Sequence, residues 1–189
     1  MVLRTLRYTL PRCMLLLSAL SACQSVPAVK TRGNSGPFSL AVKSPDSPTD
    51  SESLLASGST LKSGDRYVIS LTVAKPLYLY VEQRASSGST PLLPRAGETA
   101  QVTQPGPEIT IPPSGFLQLD LNPGVEWIYE VAATKELTAD QVRSEIEQAI
   151  QSGDRDPPQT SNPRNRGEAV WGKLDGRGIG VVRFKIVHQ

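Results

Sequence analysis

Cysteine is nearly missing from this chain: there are two, Cys13 and Cys23, and none follows them. The body of the protein therefore has no thiol to pair in a disulfide, to ligate zinc or to attack a substrate. Histidine is scarcer still. His188 stands alone, one residue from the end of the sequence, where a chain is expected to fray and a catalytic dyad is hard to hold. No apolar stretch approaches the roughly 20 residues that span a bilayer. No five or six Lys/Arg residues cluster either, and the formal net charge of +2 falls to −1 once the three arginines Arg4, Arg7 and Arg12 are set aside. Without a positive field or a basic patch, nucleic acid is excluded as a partner. With 189 residues, of which 15 are Gly and 16 Pro, the chain is sized for one domain with loose flanks.

What the sequence does have begins at its start. Three arginines lie within residues 1–12, an apolar run follows at 13–20, and the small residues Ser21 and Ala22 precede Cys23. A basic opening, a short apolar run and a small-residue site are the order of a secretory signal peptide. Leu20-Ser21-Ala22-Cys23 resembles the lipobox of bacterial lipoproteins. The resemblance implies cleavage between Ala22 and Cys23, a diacylglyceryl group on the Cys23 thiol and anchoring by two or three acyl chains, which hold far more firmly than one. Gln24, where an aspartate would favour retention at the inner membrane, implies sorting to the outer membrane. Residues 1–22 then form the signal peptide. Residues 23–36, rich in turn formers and without periodicity, form a lipidated tether.

Beyond the tether the dominant period is two. Phe38, Leu40 and Val42 alternate with polar or small residues, as do Tyr67, Ile69, Leu71 and Val73, the pattern of half-buried strands. Leu77, Leu79 and Val81 share one face of the next run, with Tyr78, Tyr80 and Glu82 on the other. Only three residues separate these two runs, which predicts a hairpin. Further strands are expected at 108–111, at 116–121 with Leu117, Leu119 and Leu121 inward, at 126–133 with Trp127, Tyr129 and Val131 aligned, and at 179–187 with Val182, Phe184 and Ile186 aligned. Seven short strands between Gly/Pro turns predict a mainly β fold over 37–189, an antiparallel immunoglobulin-like sandwich. One amphipathic helix is expected near 138–152. Thr138 and Gln141 make a capping box, Leu137 staples onto Val142, and Val142, Ile146, Ala149 and Ile150 form one stripe. Residues 44–51 read as a surface excursion, and 154–178 as a long polar loop carrying Trp171.

Several of these segments carry a second resemblance. Leu61-Lys62-Ser63-Gly64-Asp65, Leu77-Tyr78-Leu79-Tyr80-Val81, Leu92-Leu93-Pro94-Arg95, Ile109-Thr110-Ile111-Pro112 and Pro123-Gly124-Val125-Glu126 together resemble a bacterial domain of unknown function numbered 4384. The stretch covers about 61–137, with 181–188 as a closing strand. The resemblance implies an accessory β module of envelope proteins and brings no activity with it. Ser86-Ser87-Gly88-Ser89 replaces the family's usual aspartate-glycine turn.

No chemistry-bearing motif emerges from local spacing. The sequence has neither a Gly-x-Ser-x-Gly elbow nor a Ser-x-x-Lys at a helix start. Asp46 with Asp50, and Asp154 with Asp156, lack the closing glutamate of a calcium loop and read as solvated charges. Gly176-Arg177-Gly178-Ile179-Gly180 precedes a strand rather than a helix and reads as a turn, not a phosphate cradle. No catalytic residue, metal ligand or cofactor is therefore expected. Tyr78 and Tyr80 either fill the sandwich or form a stacking platform, and Trp171 either plugs the domain or anchors a partner. Trp127 and Tyr129 are expected in the core. The expected function is that of a lipid-anchored periplasmic accessory or assembly protein that binds another envelope protein, as part of a secretion or envelope machine. The alternative is a module that binds cell wall, polysaccharide or a small ligand.

Overall fold

In the computed structural model, residues 36–45, 53–152 and 169–189 are described. The lipobox with Cys23, the tether up to residue 35, residues 46–51 of the first excursion and 154–168 of the long loop lie outside them, as do Asp46, Asp50, Asp154 and Asp156.

The chain is mainly β, with two antiparallel-rich sheets and a single helix among the described residues. In chain order the strands are β1 (Phe38–Ser44), β2 (Ser53–Leu54), β3 (Ser59–Leu61), β4 (Arg66–Val73), β5 (Leu77–Ala85), β6 (Gly88–Leu93), β7 (Val102–Thr103), β8 (Ile109–Ile111), β9 (Leu117–Gln118) and β10 (Gly124–Ala133). Helix α1 (Ala139–Gln151) follows, then β11 (Val170–Gly172) and β12 (Ile179–His188). The first sheet runs β11-β1-β4-β8, with β2 beside β1 and β9 beside β4. The second runs β3-β12-β10-β5-β6, with β7 beside β5. Among the described residues one pair is parallel, β12 with β3.

The alternation read from the sequence decides what each sheet buries. Phe38, Leu40, Val42, Tyr67, Ile69 and Leu71 of the first sheet meet Leu77, Leu79, Val81, Ile128, Phe184 and Ile186 of the second in one apolar core, and each large side chain buried there is worth roughly 1.5–3 kcal/mol. The ring of Phe38 lies against the backbone of Gly172 and Gly180, where any Cβ would overlap it. Both positions need glycine for that close approach.

The expected hairpin of the Tyr67 and Leu77 runs does not form. β4 and β5 belong to different sheets, and Ala74–Pro76 carry the chain across the sandwich. Both edges of β4 are taken, by β1 and by β8 with β9, and those of β5 by β10 and by β6 with β7. Pro76 also has no N–H with which to close a two-strand ladder. The real hairpin is β5–β6, turning through Ser86-Ser87. Strand β6, with Pro91 on a sheet edge, is not signalled by periodicity. Only Leu117–Gln118 of the expected 116–121 strand is regular. Leu119 is buried, but Leu121 is 84% exposed rather than inward.

A second, smaller core lies on the other face of the second sheet. Tyr80, Tyr129 and Val131 pack against Val142 and Ile146 of α1. The capping box forms as expected: Gln141 N–H donates to Thr138 Oγ1 at 3.3 Å, and Thr138 N–H to Gln141 Oε1 at 2.8 Å. Ile150 falls off the stripe at 38% exposed, and buried Glu145 joins it instead. Arg177 clamps Glu145 with two bonds of 2.8 Å. Arg177 belongs to the turn before β12, where Asp175 Oδ1 accepts the N–H groups of Arg177 and Ile179. The glycine-rich segment is thus a turn into a strand, and it also fastens the helix.

Candidate functional site

The residues singled out from the sequence do not converge. Tyr80 is buried beneath α1, and its hydroxyl accepts Leu137 N–H at 2.7 Å and donates to Leu137 C=O at 3.2 Å. That hydroxyl closes a helix entrance and the ring has no face for a ligand. Tyr78, half-buried, packs against the same small core. Tyr129 lies within that core, while Trp127 sits at its margin with the Arg183 guanidinium and the Lys185 ammonium over its ring, 4.9 and 5.6 Å from the centroid. The expected core position of these two is therefore the layer under the helix, not the space between the sheets. Trp171 is not in a loop. It lies in β11, opposite Ser39 of β1, on the outward side of the first sheet, in the row where Ser39 Oγ meets Thr72 Oγ1 at 2.7 Å. A three-residue strand is too short to show a period, and its pairing partner lies far away in the sequence.

The polar groups that do converge lie at one end of the main core. His188 occupies the last position of β12, opposite Gly124 and beside Leu61. The chain does not fray there: Gln189 N–H donates to Leu61 C=O at 2.9 Å, and Ser63 N–H donates to Gln189 C=O at 3.0 Å. The His188 side chain is 0% exposed. Its Nε2 lies 3.0 Å from Ser63 Oγ. Its Nδ1 faces Glu126 Oε1 at 3.4 Å and Asp120 Oδ1 at 3.9 Å and has no hydrogen-bond partner.

Each carboxylate is held from behind. Gln83 Nε2 donates to Glu126 Oε2. Asn122 donates to Asp120 from its backbone N–H at 2.7 Å and from its side chain at 2.9 Å. These Asn122 bonds, with a smaller contribution from His188, keep the Asp120 carboxyl below its ordinary range. Across the core, burial pushes the Tyr67 hydroxyl far upward, the Glu126 charge adds to the shift, and the hydrogen bond with Gln83 opposes it. The tyrosine stays neutral at any ordinary pH.

Serine, imidazole and carboxylate in a line have the order of a hydrolytic relay. Acyl transfer needs in addition N–H donors directed at the developing oxyanion, and the backbone around Ser63 has none to spare. Lys62 N–H donates to Asp65 Oδ2, Ser63 N–H to Gln189 C=O, Gly64 N–H to Leu119 C=O and Asp65 N–H to Lys62 C=O. The arrangement is better suited to holding a cation between Nδ1 and the carboxylates than to attack by Ser63.

No known protein family, curated protein or solved structure matches this chain.

A groove of about 740 Å³ opens along the side of the sandwich, where Leu79, Leu93, Pro94, Val102 and Ile109 contribute apolar walls. Glu98 is the one charged residue among those lining it, and no aromatic residue lines it. Neither this groove nor the His188 cluster shows as a sequence motif. The groove joins β5, β6, β8 and the 94–107 segment, and the cluster joins residues from 63 to 188. Sequence spacing reports neither.

Proposed function

We propose that this protein is a lipid-anchored, non-catalytic accessory factor of the bacterial envelope, attached through Cys23 to the outer membrane and binding another envelope protein. The observation that carries the reading is the groove beside β5 and β6, where apolar walls alternate with threonine and glutamine side chains, with no aromatic residue and a single acid, Glu98. Such a surface suits an extended apolar segment of a partner protein with a basic residue to meet Glu98. A carbohydrate would be served by exposed aromatic faces. Tyr80 is buried and hydrogen-bonded and Trp127 is covered by cations, which favours the protein partner over the polysaccharide or small-ligand reading. The backbone donors already engaged around Ser63 favour a non-catalytic role.

A photo-crosslinking residue at Ala100, in cells producing the full-length protein, tests the reading. It is expected to trap one discrete envelope protein, and Val102→Asp is expected to abolish the adduct while Trp171→Ala, on the far sheet, leaves it. An adduct indifferent to Val102→Asp, or saturable binding of cell-wall polysaccharide by the purified protein, would overturn it. For the anchor, mass spectrometry should find residues 1–22 removed and acyl chains on Cys23, and Cys23→Ser should release the protein from membranes.

A further inference from the structure

We infer that Asp120, Glu126 and His188 form a binding site for one zinc-class divalent cation. The ligand atoms of the three lie within 4.8 Å of one another, although they come from the segment after β9, from β10 and from the end of β12. The decisive group is the imidazole. It is wholly buried, and its Nδ1 points at two carboxylates without a hydrogen bond. With the Nε2 proton donated to Ser63 Oγ, Nδ1 presents a lone pair to two anions, an arrangement that repels unless a positive centre lies between them.

The gap fits a metal better than a proton. A charge-assisted N–H···O bond is about 2.7–2.9 Å long, whereas Nδ1 to Glu126 Oε1 is 3.4 Å. Metal–ligand bonds of about 2.0–2.1 Å in a tetrahedron place neighbouring ligand atoms about 3.3 Å apart. Asp120, at 3.9 Å, is half exposed and needs only a small side-chain movement to close the third edge, and it provides the route by which an ion arrives. One imidazole and two carboxylates leave a fourth position for water. The set suits zinc and its first-row neighbours rather than calcium or magnesium, which prefer more oxygen ligands. Ser63 on Nε2 and Gln83 on Glu126 Oε2 occupy the far side of their ligands, and Asn122 holds both oxygens of Asp120, the kind of outer contact by which metal sites orient their ligands. The bound ion would tie β10 to β12 and stabilise the fold as any ligand of the native state does.

Full-length protein extracted in detergent and stripped with a chelator is titrated with Zn²⁺ and, separately, with Co²⁺. The expected result is one equivalent bound at micromolar concentration or tighter, with the intense visible absorption of four-coordinate Co²⁺. Asp120→Asn, a half-exposed change that leaves the core intact, should weaken Zn²⁺ binding at least about tenfold with an unchanged circular dichroism spectrum. His188→Ala should abolish it. The proposal is overturned if no saturable binding occurs below millimolar metal, or if Asp120→Asn binds as tightly as the parent. Should His188→Ala fail to fold, Asp120→Asn decides alone.

Discussion

Glu126 and Glu130 sit four residues apart on the same face of β10, both buried, and they live in opposite surroundings. Glu126 lies at the polar end of the core, where Gln83 and His188 meet its two oxygens. Glu130 lies between Val81 and Val182 in the apolar middle, 0% exposed, and neither of its oxygens has a hydrogen-bond partner. Burial alone pushes the Glu130 carboxyl up to about 8. A sandwich core thus holds a carboxyl in two ways: among other polar groups at its end, or protonated among apolar side chains in its middle. Only the first builds a site.

The largest expected effect comes from the lone glutamate. The folded protein keeps the Glu130 proton up to about pH 8, whereas the unfolded chain releases it near the ordinary 4.5. Between those values the folded state holds more protons, so stability falls as pH rises, by up to about 1.4 kcal/mol per pH unit, and levels off above about pH 8. Urea unfolding of Glu130→Gln across this range should show most of that slope gone and the protein more stable than its parent at pH 8. A parent curve that rises through the same window would contradict the assignment.

Gln83→Leu should make Glu126 more like Glu130. Removing the donor leaves a buried carboxylate oxygen and the Tyr67 hydroxyl short of a partner, at a cost of roughly 1–3 kcal/mol read in the same unfolding series. Next in size is Tyr80→Phe, which strips two hydrogen bonds from Leu137. A loss of roughly 1–2 kcal/mol is expected, with hydrogen exchange accelerated first in α1. The smallest effect is that of Thr138→Ala. The exposed cap is worth about 1 kcal/mol, read in thermal unfolding, and this change should leave the pH slope due to Glu130 untouched.

How far the fold was legible varies with the range over which each signal acts. The α1 cap was readable because Thr138 and Gln141 are three residues apart and complete each other within one turn. The strands of Phe38, Tyr67, Leu77 and Val182 were readable because a pleat shows its two faces in any five consecutive residues. Strand β11 hid Trp171 because three residues show no period, and β6 was masked by Ser, Thr and Pro on a sheet edge. The cluster around His188 leaves no trace in local spacing because its groups meet through strand pairing. The single histidine reads in the sequence as a fraying position, and it is the pairing of Leu61 with Gln189 that holds it.

What the sequence by itself determined is the layer composition of this protein: which residues alternate into a core, where the helix starts, and that the strands greatly outnumber it. These follow from backbone hydrogen bonding and side-chain direction over a few residues, and no distant partner changes them. Only the tertiary structure decided that β4 and β5 part company into two sheets, that Trp171 faces outward from an edge strand, and that Ser63, Asp120, Glu126 and His188 share one corner. Each of those outcomes depends on which strand claims which edge, a competition between segments far apart along the chain, settled by the burial of whole faces rather than by any local pattern.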